Sequence, residues 1–230
     1  MLKATDIHKS YGQLKVLKGI DIHIKPGEIV AIVGSSGAGK STLLHILGTL
    51  DTPDAGKVFV LGNDVFQQNP KAIASFRNQS IGFVFQFHNL LPEFSALENV
   101  MIPGIIGGRK DAEVRARANE LLEMLGIGER RDHKPSEMSG GEQQRAAVAR
   151  ALINSPKLLF ADEPSGNLDS KNALELHQLF FTLRDKMGQT FVIATHNEEL
   201  ARMADRRLEI KDGMIVTLSE EGKSTSTQPE

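Results

Sequence analysis

The chain has 230 residues, 27 Lys and Arg against 29 Asp and Glu, a formal charge of −2, and no cysteine. At about 150 residues per domain, this is one large domain or two small ones, enough to bury a sizeable core. The even charge argues against a domain built to grip nucleic-acid phosphates, and the lack of cysteine excludes disulfides, thiolate metal sites and thiol nucleophiles. The nearest candidate for a membrane span, Leu90 to Gly108, is broken by Pro92, Glu93, Glu98, Asn99 and Pro103. It is no span of the roughly 20 apolar residues that cross a bilayer. No apolar h-region follows Met1, Leu2 stands where a myristoylation glycine is needed, and no prenylation cysteine ends the chain. The expectation is a chain without signal or lipid anchor, reaching a membrane only through a partner.

The first segment reads as β. Ile20, Ile22 and Ile24 alternate with Asp21, His23 and Lys25, and Pro26-Gly27 turns the chain. Ile29 to Val33 is an unbroken apolar run, which suits a strand covered on both faces. Glycines and an apolar helix with Leu43, Leu44, Ile46, Leu47 and Leu50 follow, and a hairpin is expected about Asp54-Ala55-Gly56 before Lys57 to Leu61. Residues 87–153 read as a mostly helical insert. Val114, Ala118, Leu121, Leu122 and Leu125 keep helical spacing up to Gly126. Ser139-Gly140-Gly141-Glu142 has the form of a capping box opening a helix through Ile153. The β pattern returns with Leu158 to Ala161, a helix from Leu176 to Met187 stopped by Gly188, the buried strand Phe191 to Ala194, and a hairpin about Asp212-Gly213. From Ser219 on, nothing is left to bury, and a disordered tail is expected over 218–230.

Gly34-Ser35-Ser36-Gly37-Ala38-Gly39-Lys40-Ser41 matches G-x-x-x-x-G-K-[ST] between a buried strand and a helix. Glycines let successive N–H groups face phosphate oxygens, and the helix adds its positive end. Lys40 would reach the β- and γ-phosphates and Ser41 would offer a hydroxyl to Mg²⁺, so a nucleoside triphosphate is expected here. Asp162-Glu163, at the tip of a buried strand, resembles the other half of such a site: an aspartate for Mg²⁺ and a glutamate to orient or deprotonate water. His196 ends the next strand, within reach of a γ-phosphate. Met138-Ser139-Gly140-Gly141-Glu142-Gln143-Gln144-Arg145 leaves bare N–H groups at a second helix end. Two phosphate-facing surfaces on one chain suggest a nucleotide held between two copies.

Ser139 to Arg145 resembles the signature motif of ATP-binding-cassette (ABC) ATPases, and the other landmarks follow in that family's order. Tyr11 matches the aromatic that stacks on adenine and Gln86 the Q-loop; Ser165 to Asp169 resembles the D-loop, and His196 the switch histidine. The resemblance covers about residues 1–217. Met138 stands where leucine is more usual, and Asn197 where aspartate is common. It implies an α/β fold: a P-loop, RecA-like core with an antiparallel β subdomain over 1–86 and 154–217, and a helical subdomain over 87–153 that carries the signature. It also implies a head-to-tail homodimer with two ATP molecules. Each would lie against Tyr11, Gly34 to Thr42, Gln86, Asp162, Glu163 and His196 of one subunit and Ser139, Gly140 and Gly141 of the other. Asp169 would shape the opposing site. Ser41, Gln86 and Asp162 would hold Mg²⁺, with Glu163, His196, Gln86 and Lys40 as the catalytic set.

A cassette without a span of its own implies two separate transmembrane permease subunits, no nucleic acid, and a place on the cytoplasmic face of the bacterial inner membrane. In this family the stretch after the Q-loop docks the permease, and Phe87, Leu90, Leu91, Phe94 and Leu97 are an apolar set for that purpose. The run Gln86-Phe87-His88-Asn89-Leu90-Leu91-Pro92-Glu93-Phe94 resembles the branch that releases lipoproteins from that membrane. Macrolide or peptide exporter ATPases and the cell-division cassette share most of the motifs. Soluble ABC ATPases usually carry a long coiled coil or two cassettes, which 230 residues do not accommodate. No Asn-Lys-x-Asp motif points to guanine.

Overall fold

A computed structural model describes residues 1–216; the tail expected over 218–230 lies outside the described residues. Strand β1 (Leu2–Tyr11) pairs antiparallel with β2 (Leu14–Ile24). Ile20, Ile22 and Ile24 of β2 turn inward at 5% exposure or less, as their alternation predicts. Each such isoleucine contributes about 2 kcal/mol by leaving water. Strand β3 (Ile29–Val33) is buried at every position and leads through the glycine loop into α1 (Lys40–Leu47). Strand β4 (Ala55–Val60) then pairs antiparallel with β1, and β5 (Asn63–Asp64) folds back on it after Leu61-Gly62. The hairpin expected about Asp54-Ala55-Gly56 is therefore displaced. Ala55 and Gly56 open β4, and Asp54 just before them donates its N–H to His8 O at 2.9 Å.

Helix α2 (Pro70–Ser80) runs directly into β6 (Ile81–Phe85). Between residues 87 and 153 lie α3 (Ala96–Ile106), α4 (Asp111–Met124) and α5 (Gly140–Leu152), with no strand. The chain closes its sheet with β7 (Leu158–Asp162), α6 (Ser170–Met187), β8 (Thr190–Ala194), α7 (Glu198–Met203), β9 (Arg206–Lys211) and β10 (Met214–Val216). Asp212 and Gly213, at φ 51° and 82°, make the tight turn between the last two strands.

The strands form two sheets. The smaller, in the order β2-β1-β4-β5, is antiparallel. The larger runs β10-β9-β3-β8-β7-β6 and is parallel except for β10. Its unbroken apolar runs have a simple cause. Val30, Ile32, Leu158, Phe160, Val192 and Ala194 face a core shared with α1 and the small sheet, while Ile29, Leu159, Ala161, Phe191 and Ile193 face a second core shared with the helices. A strand covered on both faces has no reason to alternate. Because β3, β6, β7 and β8 run the same way, Val33, Phe85, Asp162 and Ala194 end along one edge. Ligands of open α/β sheets sit at that edge. Among the described residues, no helix is long and apolar enough to cross a membrane.

Candidate functional site

The loop from Gly34 to Gly39 needs glycine at both ends. Gly34 and Gly39 sit at φ 150° and 104°. A Cβ on Gly34 would collide with the Ile210 carbonyl, and one on Gly39 would lie 2.8 Å from Leu17 Cδ2. Only a residue without a side chain lets the backbone curl so tightly. Lys40 opens α1 and is 9% exposed; its Nζ donates to Gly34 O and Ser35 O at 3.0 and 3.2 Å. The ammonium thus stands inside the curl at the positive end of a helix, where anionic oxygens are favoured.

Ser41 Oγ donates to Asp162 Oδ1 at 2.9 Å, and His45 Nε2 stands 3.7 Å from Asp162 Oδ2. Burial pushes the Asp162 carboxyl above its usual range; the Ser41 hydrogen bond and nearby His45 offset this only in part. A carboxylate and a hydroxyl side by side are hard oxygen donors of the kind Mg²⁺ takes alongside waters and phosphate oxygens. Among the described residues, no group of three or more His, Asp or Glu could hold a metal. The donor set therefore fits a cation that arrives with phosphate.

Glu163 follows at φ 47°, a left-handed backbone uncommon outside glycine. Its N–H donates to Ala194 O at 2.9 Å, which ties it to the end of β8. Its Oε2 accepts from His196 N at 3.1 Å and lies 2.8 Å from His196 Nδ1, while Oε1 is 3.9 Å from Lys40 Nζ. Gln86 Nε2 donates to Asn167 Oδ1 at 3.0 Å, and Asn167 Nδ2 returns to Gln86 O at 3.2 Å. Tyr11 ends β1, with its hydroxyl donating to Asp51 Oδ2 at 2.6 Å and Lys9 Nζ 5.2 Å from its ring centre. Burial works to raise the Asp51 carboxyl, but hydrogen bonds from Lys9 and Tyr11 hold it below the usual range. Asp51 and His45 are not evident in the sequence, and Asn167 is legible there only as part of the D-loop resemblance, because each acts through a partner distant in the chain.

These groups enclose a cavity of about 610 Å³ lined by Tyr11, Val16, Ser36, Gly37, Gly39, Lys40, Ser41, Thr42, Gln86, Glu163 and His196. Gly34, Ser35 and Ala38 complete the loop around it, and Asp162 is reached through Ser41. Ser139, Gly140, Gly141 and Asp169 do not line it. They form a surface of their own. Ser139 Oγ accepts from Glu142 N at 3.3 Å, and Ser139 N donates to Glu142 Oε2 at 2.8 Å, a complete capping box. Hydrogen bonds from Arg130 and the Ser139 backbone hold the Glu142 carboxyl at about 2. A Cβ on Gly141 would lie 2.6 Å from Asn172 Oδ1, and Asn172 is tied to Asp169 by its N and Nδ2, at 2.9 and 2.6 Å. Met138 is core, and Asn197 caps α7 by accepting from Leu200 N at 2.9 Å.

The apolar set after Gln86 divides. Leu97 is buried, and Leu90 is partly buried against the helical core. Phe87, Leu91 and Phe94 are exposed, Phe87 to 73%. Asn99, fully buried, accepts from Leu91 N at 2.7 Å and donates to Leu91 O, Phe94 O and Ser95 O at 3.0 to 3.1 Å, fixing this turn. His88 and Asn89 are left-handed, and Arg150 grips their carbonyls at 2.6 and 2.5 Å. Beside them runs a groove of about 470 Å³ whose lining includes Leu50, Arg77, Phe83, Pro103, Ile106 and Arg150.

Residues 17–166 match the protein family described as ABC transporter. The chain is 60% identical over 215 residues to a protein of Bacteroides thetaiotaomicron named lipoprotein-releasing system ATP-binding protein LolD, with 94% of this chain and 99% of that one covered. It is 59% identical over 216 residues to the protein of that name from Cytophaga hutchinsonii, with the same 94% and 99% coverage. Among solved structures, it is similar to the ATP-binding cassette MJ0796 in a dimeric post-hydrolysis state bound to ADP and Pi. That match has a TM-score of 0.86 at 40% identity and covers 94% of this chain and 96% of that one.

Proposed function

Since the chain belongs to the ABC transporter family as an ATP-binding cassette, we propose that two copies hydrolyse two ATP molecules between them to drive a membrane permease pair that releases lipoproteins. One observation carries the two-copy reading. Lys40, Ser41, Glu163 and His196 meet in one cavity, while Gly140 and Gly141, capped by Ser139, present helix N–H groups outside it. A single chain thus holds two incomplete halves, and a head-to-tail pair completes both. MJ0796, similar at 40% identity, is dimeric with ADP and Pi, which supports the pairing.

In this reading adenine stacks on Tyr11, and the Gly34 to Thr42 loop cradles the phosphates with Lys40 on their charge. Ser41 and Asp162, with Gln86, would hold Mg²⁺, which would supply positive charge to the phosphates. Glu163 takes a proton from the water that attacks the γ-phosphorus as its bond to the β-phosphate oxygen breaks and ADP leaves, and His196 steadies the γ-phosphate while keeping the Glu163 carboxylate turned inward. Asp169 shapes the opposing site through Asn172 and Gly141. Residues 1–86 with 154–217 act as the nucleotide-binding core and 87–153 as the helical unit that carries the signature surface. Exposed Phe87, Leu91 and Phe94, in the turn whose Asn89 lines the 470 Å³ groove, dock the permease, and the chain then sits on the cytoplasmic face of the bacterial inner membrane. The lipoprotein-releasing name of relatives 59% and 60% identical supports the cargo.

The test is to capture the Glu163→Gln protein with ATP from detergent-solubilised membranes and identify what accompanies it. A permease pair with a bound lipoprotein is expected. An efflux partner would reassign the cargo, and a complex with no membrane protein would overturn the permease reading.

A further inference from the structure

Gln144 is the one polar side chain of α5 that is fully buried. Its Nε2 donates to Pro164 O at 2.7 Å and to Phe85 O at 3.4 Å. Both partners are acceptors, so the amide nitrogen, not the oxygen, must face them. Pro164 is the residue after Glu163, and Phe85 is the residue before Gln86. One carboxamide is therefore tied to the backbone on which the proposed base and the Q-loop glutamine are both mounted. Gln144 also stands in the second turn of the helix whose first turn is Gly140-Gly141.

The opposite end of the amide strengthens the case. Gln144 Oε1 is buried without a hydrogen-bond partner. A buried acceptor left unsatisfied costs stability, and an apolar side chain of the same shape would avoid that cost. Packing alone therefore does not account for glutamine here. The donor end has a role that leucine or methionine could not fill, since the carbonyl of Pro164 makes its hydrogen bond, among the described residues, to Gln144.

We infer that Gln144 is a positioning residue: it transmits engagement of Ser139, Gly140 and Gly141 by one nucleotide to Gln86 and Glu163, which act on the other. This rests on the two-site dimer proposed above. When the first turn of α5 is drawn against a phosphate, the helix moves as a rigid element, and the close-packed interior gives the amide no slack. Its two hydrogen bonds carry the shift to the carbonyls beside Gln86 and Glu163. Each ATP thereby tunes the catalytic geometry around its neighbour.

The experiment uses the full chain as wild type, Gln144→Met and Gln144→Glu, measuring kcat and KM for ATP between pH 6 and 9. Met keeps the volume and removes the donor. The expected result is a fall in kcat of about tenfold with KM within about twofold, as one buried donor lost from the active geometry predicts. Glu keeps the shape but turns a lone pair toward two carbonyls unless it is protonated. Its kcat is expected to recover toward the wild-type value as pH falls, because the protonated carboxyl again donates to Pro164 O. A Met variant with wild-type kcat would overturn the inference. So would a Glu variant depressed equally at every pH, since that marks damage to packing rather than loss of a donor. Should Met unfold in a thermal melt, the Glu pH profile decides alone. A wild-type chain without ATPase activity would instead sink the proposed function, so the two failures are distinguishable.

Discussion

Replacing Glu163 with glutamine alters one atom and no volume. The new amide oxygen can keep the hydrogen bond from His196 N, now at 3.1 Å. What disappears is the charge and the basic oxygen. The nearest cation, Lys40 Nζ, is 3.9 Å away. At an effective dielectric of about 20, that pair has a gross attraction of about 4 kcal/mol. Desolvation offsets most of it, and Lys40 Nζ keeps its bonds to Gly34 O and Ser35 O, so it is not left uncompensated and the net change in stability is about 1 kcal/mol. Loss of the base instead acts on the transition state, where general-base catalysis contributes about 10²–10⁴-fold, or roughly 3–5 kcal/mol of barrier. The expected variant thus melts near the wild type and binds ATP at least as tightly, because a negative charge facing the γ-phosphate is gone. It should also form an ATP-dependent dimer that turns over 10²–10⁴-fold more slowly. Steady-state phosphate release gives kcat, calorimetry gives affinity, and light scattering gives the dimer. A kcat within about threefold of wild type would refute the assignment of Glu163 as base.

Lys40→Ala should lose ATP binding while keeping the fold; unchanged affinity by calorimetry would contradict its place on the phosphates. Asp162→Asn should raise the melting temperature without nucleotide at neutral pH. Burial raises the folded pKa of Asp162, so stability falls as pH rises from the unfolded value through the folded one, and Asn escapes that loss; a lower melting temperature would contradict this. The same variant should lose Mg²⁺-dependent hydrolysis. Glu142 behaves oppositely: its folded pKa is depressed to about 2, so its contribution is complete above the unfolded value and disappears as pH falls toward 2. Glu142→Gln should therefore flatten the acid limb of a denaturation curve, and an unchanged limb would count against the Arg130 and Ser139 bonds. Leu91→Asp should abolish membrane association and spare ATP binding, to be read by flotation and calorimetry; retained association would move the docking surface elsewhere.

What the sequence reveals depends on whether a residue's role is local. The buried strands stand out because both faces are covered, so Ile29 to Val33 and Phe191 to Ala194 are apolar throughout. The Ser139 capping box is legible because both its partners lie within three residues. Helix α2 escapes notice for the complementary reason. Asn69 caps it and Pro70 opens it, but it buries no residue fully, so no apolar stripe appears. Strand β1 is masked by register shifts and by Asp6 at φ 52°, which break its alternation. At the site, the glycine loop, Asp162 and Glu163 announce themselves by pattern. Asp51 beside Tyr11, Asn167 beside Gln86 and Gln144 beside Pro164 do not, since each pairing spans 20 to 81 residues of chain. Leu97 resembles its exposed neighbours in sequence, and only the packing of α3 assigns it to the core.

The position of β3 at the centre of its sheet has a consequence for how the protein is made. Its two neighbours, β8 and β9, begin at Thr190 and Arg206. A nascent chain therefore carries the most apolar strand of the nucleotide site with both edges unpaired until most of the polypeptide has left the ribosome. Closing such distant pairs is slow, and open apolar edges invite association with other chains. Glu163 and His196 reach the cavity only when β7 and β8 settle beside β3, so the fully lined pocket forms late. ATP, which binds the finished pocket and not its fragments, then adds its binding energy to the folded state. The ligand the cavity is shaped for therefore stabilises most strongly the part of the fold that closes last.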